Sequence, residues 1–159
     1  MKQFLTAAIV LWVGAILQVA LPGRMQAMQA QPDFILIASA SLGLLLWPTQ
    51  AMVTGFFGGL LHGLLAGANL TQYVVSRMIG TYASSRAHEL GFEMGPVFGG
   101  IVVALSSGVT DIAYLFFAPP ASIPAYLQTS LASALYNGLL AVPVVASLQR
   151  ILQSDDTGV

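Results

Sequence analysis

Glycine recurs at every fourth position from Gly55 through Gly59 and Gly63 to Gly67, inside an apolar run that reads Gly-Phe-Phe-Gly-Gly-Leu-Leu-His-Gly-Leu-Leu-Ala-Gly. On an α-helix, residues four apart lie along one slightly drifting stripe, so this segment would carry bare backbone down one side. In water each interior Gly costs about 1 kcal/mol relative to Ala, and a helix holding several would be weak. In a bilayer the same small residues let a second helix approach closely. The pattern therefore points to tight helix packing in a membrane. Composition agrees: 57% of the 159 residues are hydrophobic and 7% charged, with a mean hydropathy of +0.82. A soluble domain carries about 25% charged residues, and a chain this short could not hide so much apolar surface in one aqueous core. A net charge of -1 provides no electrostatic handle for nucleic acid, and the absence of cysteine excludes disulfides and thiolate chemistry.

A helix needs about 20 residues to cross a ~30 Å hydrocarbon core. The first predicted span runs from Phe4 to Leu21 and stops at Pro22-Gly23. It reads as a transmembrane helix and not a signal peptide, because no small-x-small cleavage site follows the apolar run. A Gln-rich connection leads from Arg24 to Pro32. The apolar stretch from Phe34 to Gly67 is too long for one crossing and must break at Trp47-Pro48-Thr49-Gln50, since Pro disfavours helix continuation and Trp prefers an interface. The second helix is then Asp33 to Trp47, about 22 Å at ~1.5 Å per residue, and the third runs from Thr49 to Gly67. So short a second helix requires either a thinned bilayer or ends buried in protein. A turn at Gly67–Thr71 precedes a fourth helix over Gln72–Ser85, and the charged segment Arg86–Glu93 reads as a solvated loop. The fifth helix covers Val97–Phe117, and the sixth runs from Pro124 to Leu152 with Pro143 as its expected bend. Residues 1–153 form one helical membrane domain in this reading, and 154–159 a short disordered tail. Six spans put both termini on one side, with Lys2, Arg86 and Arg150 there against Arg24 opposite, so the positive-inside rule sets both ends in the cytoplasm.

Arg77 falls mid-span in the fourth helix and Asp111 deep in the fifth. Each charge at bilayer depth costs at least about 2.5 kcal/mol, so both should face protein, and the simplest partner for Arg77 is Asp111. Such a pair would fix helix register; the alternatives are a ligand or proton pathway, or an Arg77 that snorkels to an interface. Small stripes on the fourth helix (Ser76, Gly80, Ser84) and the fifth (Gly100, Ala104, Gly108) suit a compact bundle. His62 lies beside the glycine stripe as a hydrogen-bonding group; a metal would want further ligands, and the only other histidine is His88, in a loop. Asn137 is expected to donate an interhelical hydrogen bond. Asp33, after Pro32, suits a cap on the second helix, with contact to a partner as the alternative. No nucleophile elbow, phosphate loop or spaced carboxylate pair is present, so neither an enzyme nor a cofactor is expected.

Taken together, several segments resemble the bacterial rod-shape-determining MreD family. Pro32-Asp33-Phe34-Ile-Leu is similar to the Pro-Asp that opens that family's second helix, and Gly55 to Gly67 is similar to its Gly-Phe-x-x-Gly-Leu-x-x-Asp-x-x-x-Gly pattern. Leu70-Thr71-Gln72-Tyr73, Ile79-Gly80-Thr81-Tyr82-Ala83, Tyr136-Asn137-Gly138 and Leu148-Gln149-Arg150 extend the likeness over most of the chain. Two departures stand out: the family's Asp falls on Gly63, with His62 the nearest polar residue, and the cytoplasmic loop is less basic than the family leads one to expect.

The resemblance implies a six-helix bundle of the inner (cytoplasmic) membrane, like the S components of energy-coupling-factor transporters, which share this fold. It implies a non-catalytic scaffold of the cell-elongation complex. Its partners would be the lipid bilayer, an MreC-like protein and, through that protein, MreB and the RodA–penicillin-binding-protein pair that builds lateral peptidoglycan. The glycines at 55, 59, 63 and 67 would then pack within the bundle or against such a partner. The segment from Leu21 to Pro48 also resembles tryptophan-transporter-like S components. That alternative implies a vitamin or amino-acid pocket gated by Arg24–Gln31 and contacted by Arg77 and Asp111.

Overall fold

The computed structural model describes residues 2–26, 30–67, 69–87 and 95–153. They form six α-helices: α1 (Lys2–Ala20), α2 (Phe34–Gly43), α3 (Pro48–Ala66), α4 (Leu70–Ser85), α5 (Pro96–Phe117) and α6 (Ile123–Gln153), with a 3-10 turn at Pro22–Arg24. No strand occurs among the described residues. Residues 88–93 of the expected charged loop, with 94, and the tail 154–159 lie outside them.

The helix ends follow local chemistry. Pro48 and Pro96 open α3 and α5, where a residue without an N–H costs nothing and φ is already helical. Asn69 begins α4 by accepting from the Thr71 N–H (3.1 Å), which starts that helix two residues earlier than expected. Gly67 ends α3 at φ 60°, a left-handed conformation that a side chain would resist, and its N–H returns to the carbonyls of the last turn. At Pro143 the assigned helix of α6 continues, and the Ser147 hydroxyl donates to the Pro143 carbonyl (2.8 Å).

α2 is shorter than its predicted extent. It stops at Gly43, and Leu44–Leu46 form a turn because Trp47, preceding a proline, is held extended. Ten residues make only about 15 Å of helix, and every residue from Ile35 to Gly43 is buried. A helix apolar on all sides belongs inside, and α2 touches each of the other five helices. One apolar cluster joins it to α5 and α6 through Ile37, Ala40, Val103, Ala141 and Val145. The other joins it to α1 and α6 through Leu11, Ala38, Leu42 and Leu148. The short helix thus has its ends in protein.

Around this axis the outward faces are apolar as well. α6 presents Leu127, Leu131, Leu135 and Leu139 outward, and α5 presents Ile101, Leu105, Ile112 and Phe116. Inward lie Gly99, Gly100, Ser106, Ser107 and Thr110. Both α5 and α6 are long and apolar enough to cross a membrane.

Candidate functional site

The polar residues converge at one end of the bundle, around the start of α2. Asp33 caps that helix as expected: its Oδ1 accepts from the Leu36 N–H at 2.8 Å. Neighbouring helices satisfy two further N–H groups there. Gln18 Oε1 of α1 accepts from Phe34 N–H (2.7 Å), and Asn137 Oδ1 of α6 accepts from Asp33 N–H (2.9 Å). Gln18 lies near the end of α1, and Asn137 about four turns into the long α6. The Asn137 amide also donates to Ser107 Oγ of α5 (3.0 Å), the interhelical role expected of it.

The other oxygen of Asp33, Oδ2, accepts from the Arg77 guanidinium of α4, forming an ion pair. This corrects the expected Arg77–Asp111 pairing, and the helical wheel explains why. Arg77 and Thr81 share the stripe of α4 that faces α2, where the Thr81 carbonyl abuts the Gly43 backbone. On α5, Thr110 faces Gly80 of α4, so Asp111, a step of ~100° further round, faces α6 instead. There its carboxylate accepts from Ser130, and its carbonyl accepts from the Tyr126 hydroxyl (3.0 Å).

His62 of α3 completes the ion-pair cluster. Its Nδ1 lies 2.9 Å from Arg77 Nη2 and 3.5 Å from Asp33 Oδ1. Because a guanidinium can only donate, the contact with Arg77 requires Nδ1 to accept. The ring stacks on Tyr73 (centroids 4.6 Å apart, planes at 19°), and Tyr73 leans on Tyr114 of α5 at 5.5 Å. Three helices thus meet in one cluster, with Asp33 from α2, His62 from α3 and Arg77 from α4. Among the described residues no group of three His, Cys, Asp or Glu side chains converges as a metal site would need.

Of the glycine stripe, three positions face α4. A Cβ at Gly59 would lie 2.5 Å from the Tyr73 carbonyl oxygen, and one at Gly55 would lie 2.8 Å from that of Arg77. Gly63 approaches Leu70, whereas Gly67 is the left-handed cap and meets nothing. The stripe is spent inside the bundle, where it brings α3 and α4 close enough for His62 and Arg77 to touch. The stripe on α4 works likewise against α5, through Gly80 beside Thr110 and a Ser84–Ser106 hydroxyl pair at 2.7 Å. On α5, Gly100 and Ala104 meet Gly138 of α6, while a Cβ at Gly108 would meet open space.

Beside the ion pair a partly open cavity of about 170 Å³ lies between α2, α5 and α6. Asp33, Ser107, Asp111, Ser130 and Asn137 contribute to its wall. The hydroxyls of Tyr126, Ser130 and Ser133 were not legible as site residues, since isolated Ser and Tyr on an apolar helix carry no pattern of their own. Compared with known protein families, with curated proteins and with solved structures, the chain matches none.

Proposed function

We propose that the chain is a six-helix protein of the bacterial inner membrane, with both termini cytoplasmic, and a non-catalytic scaffold of the cell-elongation machinery. The outward leucine and isoleucine stripes of α5 and α6 support the membrane setting, because an aqueous surface would not be lined so continuously with apolar side chains. The elongation role rests on the MreD-like segments around Asp33, Gly55–Gly67 and Tyr136-Asn137-Gly138. The observation that favours it over a vitamin transporter component is the filled interior. α2 occupies the centre of the bundle, and the polar cavity of about 170 Å³ is well below the ~300 Å³ at which pockets for drug-sized ligands begin. With the glycines engaged between α3 and α4, a partner such as an MreC-like protein would meet the outer faces. On α1 these bear Phe4, Trp12 and Ile16.

The test pairs two measurements. Affinity purification of the tagged chain from its native host should recover an MreC-like protein, and depletion should turn rods into spheres. A panel of vitamins and amino acids should leave the melting temperature of the purified protein unchanged. Unaltered cell shape on depletion, or a saturable shift of several degrees with one vitamin, would overturn the scaffold reading.

A further inference from the structure

Among the described residues, Asp33 is paired with a cation, whereas no ion pair is formed by Asp111. Arg77 and Asp33 are the charged side chains near enough to act on it. The Arg77 guanidinium is already engaged by Asp33 and His62. Asp111 is left with a hydroxyl donor, Ser130, and with Tyr126 tied to its carbonyl. It stands in the wall of the cavity with Ser107, Ser133 and Asn137, all neutral side chains whose polar atoms are mainly oxygen.

We propose that this cavity binds one small monovalent cation, an alkali ion or a compact primary ammonium, with Asp111 as its counter-charge. One uncompensated carboxylate at bilayer depth calls for a single positive charge. A carboxylate with surrounding hydroxyl oxygens is a hard-ligand set that suits an alkali ion. It equally suits the three donors of an ammonium group. Size sets the other limit, for a cavity of roughly 150 Å³ accommodates benzene, and this one holds about 170 Å³. A hydrated alkali ion or an amine of a few heavy atoms fits, and a vitamin does not. Asp33 is not available as a second ligand while it caps α2 and holds Arg77, which disfavours a divalent ion. The site stands on the cavity and its charge, and does not depend on the elongation role.

The test is thermal unfolding of the purified protein in detergent at constant ionic strength. N-methylglucamine chloride is exchanged in turn for sodium, potassium, methylammonium and ethanolammonium chloride. A saturable rise of several degrees is expected with at least one of the four, and which one responds distinguishes an inorganic ion from an amine. Asp111→Asn should abolish the response. Should that variant not fold, Ser133→Leu, which fills the cavity without altering a charge, should keep the melting temperature in N-methylglucamine and lose the cation response. The proposal is overturned if none of the four cations shifts the wild-type protein, or if either variant responds as the wild type does.

Discussion

At the scale of single residues, the Asp33–Arg77 pair is the interaction on which this end of the bundle turns. The Arg77 side chain is 5% exposed and that of Asp33 is 20%, so neither charge has water as an adequate alternative. Removing one partner of a buried pair leaves the other uncompensated, at a cost of about 3 kcal/mol or more, whereas removing both can be nearly neutral. Arg77→Met alone should therefore destabilise by that order, and Asp33→Asn/Arg77→Met should recover much of the loss. Chemical unfolding of the purified variants checks this, and the same cycle with Asp111→Asn in place of Asp33→Asn should give a much smaller coupling. Equal couplings would reinstate the Arg77–Asp111 pair. The sequence made the need for a partner legible, because an arginine in an apolar helix must find one. It did not make the partner's identity legible. Asp33 already had a sufficient local role as a helix cap, and nothing in the linear order shows that one carboxylate can cap α2 with one oxygen and hold α4 with the other.

At the scale of elements, the α3–α4 contact depends on the absence of a side chain at Gly59. A Cβ there would overlap backbone atoms of Tyr73 and Val74 at 2.5 Å, and backbone cannot turn aside as a flexible side chain can. Gly59→Ala should thus push the helices apart and destabilise by about 1–3 kcal/mol, the usual range for overpacking. Gly108→Ala has open space before it, and should be neutral or gain up to about 1 kcal/mol from helix propensity. Thermal unfolding of the two variants separates a packing requirement from a generic dislike of changing glycine; equal losses would argue against the contact. Most of this level was readable in advance. Proline, glycine and asparagine set the helix limits to within a few residues, and the four-residue spacing foretold close packing. The neighbour of each stripe was not readable. Small residues say that something comes near, while the choice of α4 for Gly55 and Gly59, and of α6 for Gly100, follows from how all six helices close around α2.

At the scale of the whole molecule, the short buried α2 decides how the chain would sit in a bilayer. Five helices of sixteen residues or more surround one of ten, and the start of α2 lies level with Gln18, close to the end of α1. In lipid, apolar burial alone gives little drive for helices to associate. The capping bonds from Gln18 and Asn137 and the ion pair are then what hold the start of α2 in place. If all six helices cross, the turn after α1 lies on the face opposite both termini, which the positive-inside rule sets outside. The chain has no cysteine, so this can be tested with single introduced thiols. Gly23→Cys, at an exposed turn where an added Cβ meets nothing, should react with a membrane-impermeant maleimide in intact spheroplasts. Asp155→Cys, beyond α6, should react only after the membrane is opened. Labelling of Asp155→Cys alone would invert the orientation, and equal labelling of both in intact spheroplasts would mean an odd number of crossings.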